Sequence, residues 1–123
     1  GKNVRDWIHV EDHCDGVYLA LTKGKPGEAY DFGGDAEVEN LSLVQELCRL
    51  LDERQPKISG SYSDQIAFVT DRLGHDRRYA IDDSKSQKQL GFTRRYRFEQ
   101  GLAATVDWYL ANQAWCKLVM EKK

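Results

Sequence analysis

The stretch DRLGHDRRYAID, residues 71 to 82, places three arginines, three aspartates and a histidine within twelve positions. Arginine presents a planar fork of donors that matches a phosphate bidentately, and an adjacent histidine adds another donor. Gly74 lies among Arg72, Arg77 and Arg78 and can turn the backbone so that their side chains converge. Such a cluster can hold an anion. Alternatively, Asp71, Asp76 and Asp82 pair with the arginines in a solvated loop, where ion pairs contribute little stability. These residues alone leave both readings open.

Other residue groups have less to offer chemically. His9 and His13 are four apart in HVEDH, but the glutamate is misplaced for a zinc-binding HExxH helix. A strand-to-helix boundary also falls between the two histidines, so no metal site is expected. Gly33 and Gly34 in YDFGGD follow an apparent strand and precede a helix, as phosphate loops do. Neither GxGxxG nor GxxxxGK[ST] is present, so a plain tight turn is expected there. Asn40 stands just before an apolar-periodic run, a preferred N-cap position. Cys14, Cys48 and Cys116 are an odd count without CxxC spacing, and read as free thiols of a reducing compartment. Cys14 and Cys48 both fall on apolar helical faces, where burial is expected.

The elements that must position these residues follow from periodicity. Residues 3 to 10 alternate as a strand, with Val4, Ile8 and Val10 on one face and Arg5, Trp7 and His9 on the other. Asp12 is expected to cap a helix whose apolar stripe is Cys14, Val17, Tyr18 and Leu21. GKPGE breaks that helix, and AYDF (29–32) reads as a strand. A second helix starts near Asn40 with Leu41, Val44, Leu47, Cys48 and Leu51 inward. Residues 57 to 63 read as loop, IAFVT (66–70) as a strand and RYAI (78–81) as a short one. Asp82 or Asp83 caps a helix that Gly91 ends. The last helix starts near Phe98, turns Phe98, Leu102, Val106, Tyr109 and Leu110 inward, and runs past Trp115. The pattern is α/β.

Composition narrows the function classes. The chain's 123 residues suit one domain with a core. A net charge of −2 lacks the cationic excess that nucleic-acid backbones demand. No apolar run reaches membrane-span length, and a cytoplasmic location is expected. The opening GKNVRDW has no initiator Met and runs straight into a strand pattern, as a segment of a longer polypeptide would.

Five blocks together carry a resemblance: RDWIHVEDH, GEAYDFGG, NLSLVQELCRLLD, DRLGHDRRYAID and LGF…FEQGLAATVDWYLAN. In this order they resemble the C-terminal part of the dTDP-glucose 4,6-dehydratases, members of the extended short-chain dehydrogenases, over essentially the whole chain. The resemblance implies the sugar-nucleotide-binding region of such an enzyme, without the nucleotide-binding half of its Rossmann domain. In that family a Rossmann domain holds NAD. The enzyme oxidises C4 of the glucose, eliminates water across C5 and C6, and returns the hydride to C6. The diphosphate and nucleoside contacts then fall on Arg5, Asn40, Arg72 and His75, and the partner is a dTDP-sugar. Asn40 can serve twice, because a cap uses its side-chain oxygen and leaves the amide nitrogen free. Arg77 and Arg78 are left to pair with neighbouring aspartates. Two positions depart from the family pattern, with Leu73 for proline and Asp31 for asparagine.

The resemblance also implies what this stretch lacks. Neither Tyr18, Tyr62 nor Tyr79 has a lysine four residues later, and there is no glycine fingerprint for NAD. No catalytic residue is therefore assigned here, no NAD binding is expected of the chain alone, and the chain alone is expected to be inactive. The alternative is a stand-alone nucleotide-sugar-binding or self-associating interaction module. Without a Rossmann partner, apolar surface and strand edges would be covered by self-association, so a homodimer or larger assembly is expected.

Overall fold

The computed structural model describes residues 1 to 121. Strand β1 (Val4–Asp6) pairs antiparallel with β2 (Glu37–Glu39), with Val4 opposite Glu39, Arg5 opposite Val38 and Asp6 opposite Glu37. The other edge of β1 is occupied too. Val4 N donates to Arg77 O at 2.8 Å and Tyr79 N to Val4 O at 3.0 Å, a single parallel bridge at Arg78. Three residues of β1 thus hold two distant parts of the chain together.

The route to β2 depends on a close backbone approach. A Cβ on Gly34 would lie 1.7 Å from the carbonyl oxygen of Trp7, so only glycine fits. The Asp6 carboxylate accepts from Gly34 N at 3.0 Å and from Ala36 N at 2.9 Å. Gly33–Gly34 is therefore a packed crossing rather than a simple tight turn. AYDF, expected as a strand, is irregular, and the strand that pairs is the shorter EVE after it.

Helix α1 (Val10–Lys23) starts two residues before the expected cap. His9 caps it, its Nδ1 accepting from Glu11 N at 3.3 Å, and stacks on Tyr96 with ring centroids 3.9 Å apart. Asp12 does something else. It is 1% exposed, and its two oxygens accept from Arg95 N at 3.0 Å and Tyr96 N at 3.1 Å. The expected apolar stripe faces outward: Cys14 is exposed, Tyr18 is 66% and Leu21 82% exposed. The inward face is Asp12 and Gly16, the latter small because the Phe32 ring lies against it. Periodicity located this stripe correctly, but amphipathicity does not say what covers it.

Helix α2 (Asn40–Arg54) buries Cys48 and Leu50. Its residue Asp52 accepts from Ser61 Oγ at 2.5 Å and Tyr62 N at 3.0 Å, tying it to a 3-10 turn at Tyr62–Gln65. Those two bonds hold the Asp52 carboxyl below its ordinary range, the Ser61 hydroxyl having the larger effect. IAFVT, expected as a strand, is irregular, with Phe68 and Val69 exposed. Helix α3 (Ser84–Leu90) begins where Asp82 Oδ1 accepts from Ser84 N at 3.0 Å, and ends at Gly91 with φ +73°. Both were expected. Leu90 and Phe92 around that glycine are fully buried.

Helix α4 (Phe98–Ala111) starts where expected and buries Gly101 and Val106, while Tyr109 points outward. Asn112 interrupts it, and α5 (Gln113–Met120) continues with Trp115 edge-on to Trp108 at 5.3 Å between centroids. The core is small: Cys48, Leu50, Leu90, Phe92 and Val106. The three cysteines are free, Cys48 buried, Cys116 half-buried and Cys14 exposed, against the burial expected of Cys14. Among the described residues no helix is long and apolar enough to cross a membrane.

Candidate anion-binding site

Arg5 points from β1 toward the 71–79 loop, which the bridge at Val4 holds alongside. Its Nη2 donates to His75 Nε2 at 2.8 Å and to Asp76 O at 3.1 Å, and its Nη1 to Val4 O at 2.6 Å. The guanidinium carbon sits 4.3 Å from the centroid of the Tyr79 ring, a cation–π arrangement. Tyr79 donates its hydroxyl to the Asp76 carboxylate, and that bond and charge push the phenol upward from its ordinary pKa. Four contacts thus hold one arginine.

His75 is held from its other side. Its Nδ1 lies 2.5 Å from Asp71 Oδ1. Arginine can only donate, so His75 Nε2 must accept from Arg5 and Nδ1 must carry the proton given to Asp71. The hydrogen bond from His75 holds the Asp71 carboxyl below its ordinary range, helped by Arg72 N, which donates to it at 2.9 Å.

His75 and Asp71 line a cavity of about 590 Å³ with Asn40, Asn3 and Tyr62 and with the apolar side chains Leu41, Val44 and Phe68. The lining combines polar and apolar side chains, as a ligand with a charged and a flat uncharged part requires. Asn40 occupies the first turn of α2 rather than the cap, a position held by Glu39 without a side-chain cap bond. The backbone amides of Asn40 and Leu41 already donate to Asn3 O and Gly1 O, both at 2.9 Å. What Asn40 offers the cavity is its side chain.

Of the four residues expected to bind, Arg5 and His75 touch and Asn40 shares the cavity with His75. Arg72 stands apart, exposed in the turn whose His75 N donates to Arg72 O at 3.3 Å. That turn forms with Leu73 where a proline was expected, because Gly74 at φ +70° supplies the reversal. Asp31 lies beside α3, its carbonyl accepting from Ser86 Oγ at 2.5 Å, and is not in the cavity wall. Arg78 pairs bidentately with Glu37 at 2.5 and 2.8 Å, not with an aspartate. The residues that sequence reasoning passed over are Asp71, Asp76 and Tyr79. It had read the two aspartates as neutralising charges, while their geometry makes them supports.

A separate cavity of about 680 Å³ is lined by Arg94, Arg95 and Arg97. Arg94 is bound to Asp83 and to Gly33 O, and Arg95 to Asp15 and Asp12. Arg94 and Arg95 are thus taken up in holding the fold.

The model of the GDP-mannose 4,6 dehydratase family matches residues 1 to 105. The chain belongs to that family. It is 52% identical to dTDP-glucose 4,6-dehydratase of Xanthomonas campestris pv. campestris (strain B100) over 122 residues, 98% of this chain and 35% of that protein. It is 49% identical to dTDP-glucose 4,6-dehydratase 1 of Escherichia coli K12 over 115 residues, 94% of this chain and 32% of that protein. Among solved structures, dTDP-glucose 4,6-dehydratase of Bacillus anthracis in complex with NAD superposes with a TM-score of 0.78 at 43% identity. DesIV, the dTDP-glucose 4,6-dehydratase of Streptomyces venezuelae with NAD and TYD bound, gives 0.81 at 40%. Each superposition covers 94% of this chain, against 34% of the first structure and 33% of the second. The chain spans about a third of the length of the curated 4,6-dehydratases it matches.

Proposed function

We propose that these residues form the C-terminal substrate-binding domain of an NAD-dependent dTDP-glucose 4,6-dehydratase. In this reading the enzyme converts dTDP-glucose to dTDP-4-keto-6-deoxyglucose and water, and the 123-residue chain alone grips the sugar nucleotide without turning it over. The observation that carries it is the Arg5–His75 contact beside the cavity that Asn40 and His75 share. Arg5 and His75 hold the diphosphate, Arg72 closes over it from the turn, and Asn40 with the apolar wall meets the nucleoside. The DesIV structure, with NAD and TYD bound, supports the ligand class.

The residues present do not fit NAD. Gly33–Gly34 is pressed against Trp7, and Gly34 N already donates to Asp6, so neither offers a phosphate cradle. The hydride acceptor would be held by a Rossmann domain outside these residues, and hydride chemistry is what the cofactor supplies there.

Calorimetric titration of dTDP-glucose into the chain is the test. Saturable binding is expected, weakened about 10- to 100-fold by Arg5→Ala, the range for a lost charge-assisted pair. No heat at millimolar ligand would overturn the reading, as would formation of the 4-keto sugar by the chain with NAD alone.

A second reading, self-association as an interaction module, is favoured by the outward apolar faces of α1 and of α4–α5, where Leu21, Tyr18, Trp108, Tyr109 and Met120 are exposed. A dimeric or larger mass is expected in light scattering, falling with dilution. A monomeric mass across the concentration series would refute it.

A further inference from the structure

We infer that Asp71 is a positioning residue for the anion grip and that its partner His75 takes up a proton when the sugar nucleotide binds. The inference rests on the dTDP-sugar reading above and specifies how that site changes on filling.

The starting point is the direction of the two bonds to the His75 ring. In the structure Nε2 is an acceptor, saturated by Arg5, while Nδ1–H donates to Asp71. A ring in that state has nothing to give a phosphate, because an accepting nitrogen and a phosphate oxygen repel. When a diphosphate arrives, Arg5 turns its Nη2 from the ring to the phosphate oxygens, its stronger partner. Nε2 is then left facing an anion and must become a donor. It does so by taking one proton from solvent, giving an imidazolium that donates from Nε2 to the phosphate and from Nδ1 to Asp71. Asp71 makes this possible, since its carboxylate compensates the new charge and keeps the ring from rotating.

The surroundings agree with such a step. The charged and titratable groups around His75 are Arg5 of β1 and Asp71, Asp76 and Tyr79 of its own loop, with Arg72 close enough to act on Tyr79. Tyr62 of the 3-10 turn and Cys48 of α2 also line the cavity. Asp76 and Tyr79 are committed to each other, which leaves Asp71 as the one carboxylate on the ring. The Asp71 carboxyl already lies below its ordinary range, so it is a charged acceptor throughout the neutral region.

The experiment is calorimetry with dTDP-glucose near pH 7.5 in buffers of different ionisation enthalpy. This ligand suits the purpose because both phosphates are esterified and lose their protons far below neutrality, so any proton taken up enters the protein. Uptake of about one proton per ligand is expected, with affinity falling up to about tenfold per unit as pH rises above the imidazole range. His75→Gln keeps an amide donor but cannot titrate, and is expected to bind with no uptake. Asp71→Asn is expected to lose about tenfold in affinity and most of the uptake, and Asp71→Glu to recover both. The Asp71 side chain is 58% exposed, so these variants keep the fold, which thermal melts verify. Binding of unchanged affinity without proton uptake would overturn the inference and leave the proposed function standing. Undiminished uptake in Asp71→Asn would remove Asp71 from it. Absence of binding in the unaltered chain would overturn both.

Discussion

Asp12→Ala is expected to lower the stability of this chain by about 3 kcal/mol or more, read as a drop in the urea midpoint followed by circular dichroism. The carboxylate is buried and accepts from two backbone amides, Arg95 N and Tyr96 N, that lead into α4. Truncation leaves both donors without a partner, at roughly 1–3 kcal/mol for each unsatisfied buried group. Against a total stability of roughly 5–15 kcal/mol for a natural domain, that loss leaves a substantial unfolded fraction. Asp12→Asn separates charge from geometry. Its amide oxygen can take one of the two amides, but its NH₂ group confronts the other, so an intermediate loss is expected. Equal losses for the two variants would show that the negative charge, near Arg95 Nε at 3.6 Å, carries the interaction.

Gly34→Ala is the second large effect expected. The added methyl would stand 1.7 Å from Trp7 O and 2.4 Å from its carbonyl carbon, main-chain atoms that cannot swing aside as a side-chain end can. The β1–β2 crossing must open, which pulls Gly34 N and Ala36 N from the Asp6 carboxylate. A cost of about 3 kcal/mol or more is expected, the range of overpacking combined with lost buried hydrogen bonds. Because Arg5 adjoins Asp6 on the same strand, dTDP-glucose binding should weaken as well. Gly27→Ala is the control. Gly27 has φ +84° and open space around it, so only the backbone strain of about 1–2 kcal/mol applies. A Gly34→Ala chain no less stable than Gly27→Ala would mean the crossing relaxes easily.

The parts of this fold legible in the sequence were those governed by local chemistry. The stop of α3 at Gly91 follows from a capping residue, and the starts of α2 at Asn40 and of α4 at Phe98 follow from periodicity over several turns. Short apolar runs misled. AYDF and IAFVT look like strands because an apolar run of four or five residues fits several backbone states, and here neither run finds a partner edge. EVE passed unnoticed because a three-residue strand has too little pattern to read, and its pairing is fixed by Asp6, thirty residues away. Asp12 has the sequence signature of a cap, yet is drawn inward by amides more than eighty residues on. At the site, the resemblance singles out Arg5 and His75, which the structure brings into contact, whereas Asp71 and Tyr79 carry no such signal, because what sets them apart is their contact with the His75 ring and the Arg5 guanidinium.

The bridging position of β1 has a kinetic consequence. Arg5 and His75 are 70 residues apart in sequence, and Asn3 reaches Asp76 across 73. Contacts of such separation form after the local helices, because loop closure must precede them. The Arg5–His75 contact therefore forms late, together with the final topology. Ligand binding and completion of folding become one equilibrium. A ligand that binds only the folded chain, at about a hundred times its dissociation constant, adds roughly 2.7 kcal/mol to the folded state and nothing to its precursors.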